Sequence, residues 1–211
     1  MNNYLKKNGK ITMRKNNVNS WDSQFFIVAG CFMLINTLFL WLRHFSNYQM
    51  SILWPAIPAI TGLAFSVFGL LKLYPRVTNH SPLVAKSGAG LSLLALASLS
   101  LVALWIFVVS VFGEGMQEQQ SQWLLVLIVL FMVAMILAFF TNAIVFLSVR
   151  THQKIGYLLT MPLAMWFIML VVGVIKGIEK GLSLDFYTNP VIGAAFLALG
   201  FTLKANRNLE G

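Results

Sequence analysis

The chain has 211 residues, 58% of them apolar and 10% charged, with 15 Lys and Arg against 6 Asp and Glu and a mean hydropathy of +0.78. A soluble domain carries about 25% charged residues, so this balance excludes an ordinary soluble enzyme, a disordered chain and a fibrous repeat. With Cys31 as its one cysteine, the chain forms no internal disulfide and no cysteine-built zinc or iron-sulfur centre.

Residues 1–20 are polar, rich in Asn and carry Lys6, Lys7, Lys10, Arg14 and Lys15. They have too little apolar surface to fold alone and read as a disordered basic tail that orients the first helix, with Met1 and Met13 both open as the start. Beyond the tail, a hydrocarbon core of about 30 Å asks for about 20 apolar residues per helix, and six runs approach or exceed that length. They are 25–42, closed by Arg43 and His44; 52–74, closed by Pro75 and Arg76; 83–112, after Pro82 at a helix-opening position; 123–149, closed by Arg150; 155–175; and 187–203, with Pro190 near its start. The sixth is the weakest, because Val191 to Leu203 alone falls short of a span. Residues 21–205 therefore read as one all-α integral membrane bundle of six transmembrane helices, and 206–211 as a short tail. None of the runs alternates as a barrel strand does, and links of about 5 to 14 residues leave no room for a soluble domain between spans.

Twelve of the 15 basic residues fall on the side of the N-terminus, and only Arg43, Lys176 and Lys180 fall opposite, beside Glu114, Glu118, Glu179 and Asp185. The positive-inside rule then places both termini in the cytoplasm and the bundle in a cytoplasmic membrane. Trp41, Tyr48, Trp54, Trp123 and Tyr187 mark the outer interface, and Trp21, Tyr74 and Tyr157 the inner one. Trp105 and Trp166 lie deeper, as residues packed between helices do.

Several motifs resemble chemistry and are better explained otherwise. Val28-Ala29-Gly30-Cys31 has the form of a lipidation site, but only four apolar residues precede it and the run continues beyond it. Asn79-His80-Ser81 fits a glycosylation pattern on the inner side, where the machinery is absent. His44, His80 and His152 sit in loops or at edges, so no haem ligand lies within the bundle, and two loop histidines are half a zinc site. Met161, Met165 and Met169, with Met132 and Met135, suit flexible packing rather than a Cu(I) path, since no Met- or His-rich outer segment gathers the ion. Ser87, Ser92, Ser98, Ser100 and Ser110 have no membrane histidine to activate them. Carboxylates fall outside all six runs, which argues against proton-coupled carriers and intramembrane acid-base enzymes. No catalytic residue, metal site or cofactor is expected. Small residues instead suggest close helix contacts: Gly88, Ser92 and Ala95 in the third run, Ala194 and Ala198 in the sixth, and Gly173, Gly177 and Gly181 at a turn after the fifth.

Five positions stand out as polar or solute contacts. Asn36 and Asn142 lie at similar depths and each is expected to face the bundle. Pro58 and Pro162 fall in corresponding spans of an inverted three-plus-three repeat, and each frees the carbonyl four residues earlier, at Trp54 and Leu158. Trp166, one turn past Pro162, is either core or a cavity wall. Two functions follow: a non-catalytic accessory, assembly or sensing component, or a small carrier or channel for a neutral or weakly polar solute. The expected partners are the lipid bilayer and a second membrane protein or copy of this chain, with no nucleic acid.

Overall fold

In hydrocarbon a backbone this apolar pairs with itself only as a helix, and the computed structural model has no strand among its described residues, 21–47, 49–51, 53–78, 81–112 and 117–210. The expected tail at 1–20, its two alternative starts, and Asn79 and His80 lie outside them. Six long helices are present: α1 (Trp21–Phe45), α2 (Leu53–Thr78), α3 (Pro82–Phe112), α4 (Gln117–Ser148), α5 (Gln153–Lys176) and, after a short α6 (Ile178–Leu182), α7 (Asp185–Glu210). Each is long and apolar enough to cross a membrane.

Most helices outrun the apolar stretches that announce them. Asp22 and Asp185 occupy the first turns of α1 and α7, where a carboxylate complements the positive end of the helix dipole. The expectation that carboxylates stay outside the spans is thereby corrected, since hydropathy registers only the part of a helix that meets hydrocarbon. Pro75 does not close α2; it sits within the last turn, where the helix has few bonds left to lose. Gly177, at φ 96°, ends α5 in a conformation that side chains resist, and α6 folds back so that Gly181 lies against Gly173.

Each long helix packs on the next in sequence, and α7 packs on both α5 and α1, so the six form a closed ring. Helices α1 and α7 are antiparallel: Gly200 lies against Ser23 and Ile27, Gly193 against Gly30 and Leu34, and Phe186 against Trp41. The start of α1 and the end of α7 thus share one end of the bundle, here the amino-terminal end. In a membrane such interfaces gain little from the hydrophobic effect and depend on close packing, which glycines permit. The close face of α7 is Gly193 and Gly200, not the expected Ala194 and Ala198; Ala194 is exposed. Gly88, Ser92 and Ala95 are buried as expected, with Gly88 against Thr141 and Asn142 of α4.

The amino-terminal half of the ring is filled by fully buried Phe26, Leu73, Phe146, Ile155, Leu159 and Leu203. At its edge Arg76 pairs with buried Asp22 at 3.0 Å, joining the end of α2 to the start of α1. The outward faces carry exposed Phe68, Leu101, Phe107, Ile144, Phe167 and Phe201, a continuous apolar belt that water would not tolerate. Exposed Trp21 and Tyr157 at one end, with Trp54, Trp123 and Tyr187 at the other, bracket that belt as interfacial aromatics do. The six helices are those of a multi-pass membrane protein.

Candidate functional site

At the end opposite the amino terminus the ring is not filled. A cavity of about 250 Å³ opens there between α1, α2, α3, α4, α5 and α7. Its walls are mostly aliphatic, among them Ile60, Leu63, Leu99, Val102, Ile128 and Met132, with Phe131 beside them. Its floor is aromatic: Trp166 lines it and packs edge-on to Phe139 at 5.2 Å and against Phe196 at 6.3 Å. Phe196 in turn lies 6.0 Å from Phe26, so this cluster continues into the filled half.

Polar groups enter the cavity from two neighbouring helices. Asn36 comes from α1, and Asp185 and Asn189 come from α7, four residues apart and so on one helical face. Asn36 is 2% and Asn189 6% exposed, yet neither amide makes a hydrogen bond among the described residues, and neither has its polar atoms sealed off. Both therefore face the cavity. Asp185 likewise has no hydrogen bond or ion pair among the described residues. Of the described basic groups at this end, Arg43 Nε donates to the Met50 carbonyl at 3.1 Å, His44 packs against Phe186, and Lys176 and Lys180 are exposed; none forms an ion pair with Asp185. A buried amide without a partner costs about 1–3 kcal/mol, so a bundle that keeps two of them beside a carboxylate is arranged for something other than packing.

Two neighbouring contacts hold α7 in place. Thr188 donates to the Met169 sulfur at 3.2 Å and to the Leu184 carbonyl at 3.1 Å. Pro190 has no N–H for the Phe186 carbonyl, and the Trp41 indole N–H donates to that carbonyl instead, at 3.4 Å. The reasoning about proline-freed carbonyls thus finds its partner at Pro190. Pro58 and Pro162 are buried within α2 and α5, and neither lines the cavity.

Of the five expected positions, Asn36 and Trp166 share the cavity. Asn142 does not join them: its amide donates to Ala138 of its own helix at 2.7 Å and packs against Gly88. Trp166 is buried as expected, whereas Trp105 is half-buried. The methionine stripe divides, with Met161 exposed and Met169 in the cavity wall. His44 and His152 occupy opposite ends, beside Phe186 and Phe146. Asp185 precedes the sixth run and Asn189 lies in its weak opening stretch, so neither stands out from the sequence as a site residue. The signal was an acid in the first turn of a helix whose Pro190 lies in the second.

The sequence matches no protein-family description, and no curated protein or solved structure is significantly similar to it. Fold and site together define a multi-pass membrane protein whose six-helix ring holds a cavity in the half away from the amino terminus.

Proposed function

We propose that the protein is a small carrier of a cytoplasmic membrane, without catalytic chemistry of its own, that admits a solute with a polar head and an apolar body from the outer side. The observation that carries this reading is the unfilled half of the ring, where Asn36, Asp185 and Asn189 have no partner among the described residues and stand above an aromatic floor. Small-molecule sites combine mostly apolar walls with a few convergent polar groups, and carriers hold them near the middle of a bundle. The accessory, assembly or sensing reading rests on the missing chemistry and the lack of soluble domains, and Asp185 in the first turn of α7 weakens the first of these supports.

The charge asymmetry supports a cytoplasmic amino-terminal end and hence an outward-facing cavity. Reporter fusions after Gly115 and Leu182 should read outside, and those after His152 and Gly211 inside; an outside carboxy terminus refutes that orientation. In a Cys31→Ser background, Ala59→Cys in the cavity wall should react with a membrane-impermeant thiol reagent from the outer side. The purified full chain in vesicles should exchange labelled small solutes. An unreactive cysteine together with no flux of neutral or cationic probes refutes the carrier.

A further inference from the structure

The geometry points to a protonated organic amine as the ligand class of this cavity, with Asp185 as its counter-ion and the amide oxygens of Asn36 and Asn189 accepting its remaining N–H bonds. The inference rests on the reading of the cavity as a solute site, and it goes further by fixing the charge and chemistry of the occupant.

Three observations carry it. First, Asp185 brings a carboxylate into a mostly apolar space, and among the described residues no Lys, Arg or His forms an ion pair with it. Asp185 is half-buried among apolar walls, and a carboxylate partly shielded from water in this way favours an opposite charge beside it, which the walls leave to the occupant. Second, Asn36 and Asn189 are buried amides from two different helices that line the same cavity and make no side-chain hydrogen bond among the described residues. Each amide oxygen is an acceptor with two lone pairs, and an ammonium group is a donor with no acceptor, so the sets match. Third, Trp166 offers an aromatic wall, and aromatic faces attract cations and cover hydrocarbon equally well.

The alternatives fit less well. An anion would meet Asp185 without a basic partner. A hard inorganic cation takes about six or more oxygen ligands, whereas this cavity has three oxygen-bearing side chains, Asn36, Asp185 and Asn189, and otherwise aliphatic and aromatic walls. Those walls suit the carbon skeleton of an amine. The cavity also shares Ile128, Met132, Met169 and Leu182 with a second hollow of about 370 Å³, lined by apolar side chains and glycines of α4, α5 and α6. Flexible Met132 and Met169 form part of that partition, so the apolar part of a ligand has room on that side.

The test is equilibrium binding of three probes of one shape to the full chain in lipid nanodiscs: 2-phenylethylamine, 2-phenylethanol and 3-phenylpropanoate. The amine should bind about 10- to 100-fold tighter than the alcohol, as a charge-assisted contact does, and the acid weakest. Asp185→Asn keeps the side chain's shape and should bring the amine down to the affinity of the alcohol while leaving the alcohol's own affinity within about twofold, which also shows that the variant is folded. Asn36→Leu should weaken the amine by a smaller factor, about 3- to 10-fold. Equal binding of amine and alcohol to the parent protein overturns this inference while leaving the solute-site reading intact. So does an Asp185→Asn variant that keeps the preference, or displacement of the amine by excess potassium. If none of the three probes binds, the solute-site reading falls, and this inference with it.

Discussion

The α1–α7 interface is closed by glycines, and adding one methyl group to each tests how tightly. A Cβ at Gly30 would lie 2.7 Å from Leu197 Cγ and 2.8 Å from both the Gly193 carbonyl and the Leu197 nitrogen; at Gly200 it would lie 2.6 Å from Ile27 Cγ1 and 2.8 Å from the Ser23 carbonyl. Two of the three atoms at Gly30 are backbone, so a side-chain rotation cannot relieve the clash. The helices must part by about 0.7 Å to restore ordinary contact, and a gap of 0.5–1 Å forfeits about a quarter to a half of each neighbouring dispersion contact. Gly30→Ala and Gly200→Ala should therefore each cost about 1–2 kcal/mol, an overpacking cost at the upper end of about 1–3 kcal/mol less a helix-propensity gain of about 1. Gly62→Ala, whose nearest neighbours on α1 are at 3.1 and 3.2 Å, should fall near neutral, and Gly90→Ala, with nothing within 4 Å, should stabilise by up to about 1 kcal/mol. Unfolding of the four variants in mixed detergent micelles, followed by circular dichroism, gives the series. Gly30→Ala as benign as Gly90→Ala refutes the close approach of α1 and α7.

Two further outcomes follow from single contacts. Trp41→Phe removes the donor to the Phe186 carbonyl and should cost about 0.5–1.5 kcal/mol, and Pro190→Ala, by restoring a backbone N–H to that carbonyl, should shrink the cost; equal losses with and without Pro190→Ala refute the link. Asn142→Leu should change stability by only about 0.6 kcal/mol and leave solute binding intact, because its amide serves its own helix, whereas a loss of binding equal to that of Asn36→Leu would place Asn142 in the site.

Much of the architecture is legible from composition because lipid imposes one rule on every span: the backbone must bond to itself and the side chains must be apolar over about 20 residues. That rule suffices to count six helices and to place Pro82 at the start of α3. It is silent where a helix passes into the interface, which is why α1 is already helical at Trp21 and α7 at Asp185, ahead of Phe25 and Tyr187. It also cannot choose among small residues on a helix, and Ala194 lost its expected place to Gly193 and Gly200, which offer the closer backbone approach.

The site divides along the same line. Asn36 and Trp166 were visible in the sequence because a polar or interfacial residue in an apolar run costs free energy and so advertises a bundle-facing role. That the two meet, that Asn142 stands apart, and that Asp185 and Asn189 complete the set were decided by the closing of the ring, which sets α7 beside both α1 and α5. Spacing along one helix fixes which residues share a face, but the rotation of that face toward a neighbour is set by packing between helices. Here the Gly30–Gly193 contact and the bond from Trp41 to the carbonyl freed by Pro190 turn Asp185 and Asn189 inward, and no local pattern in the chain encodes that rotation.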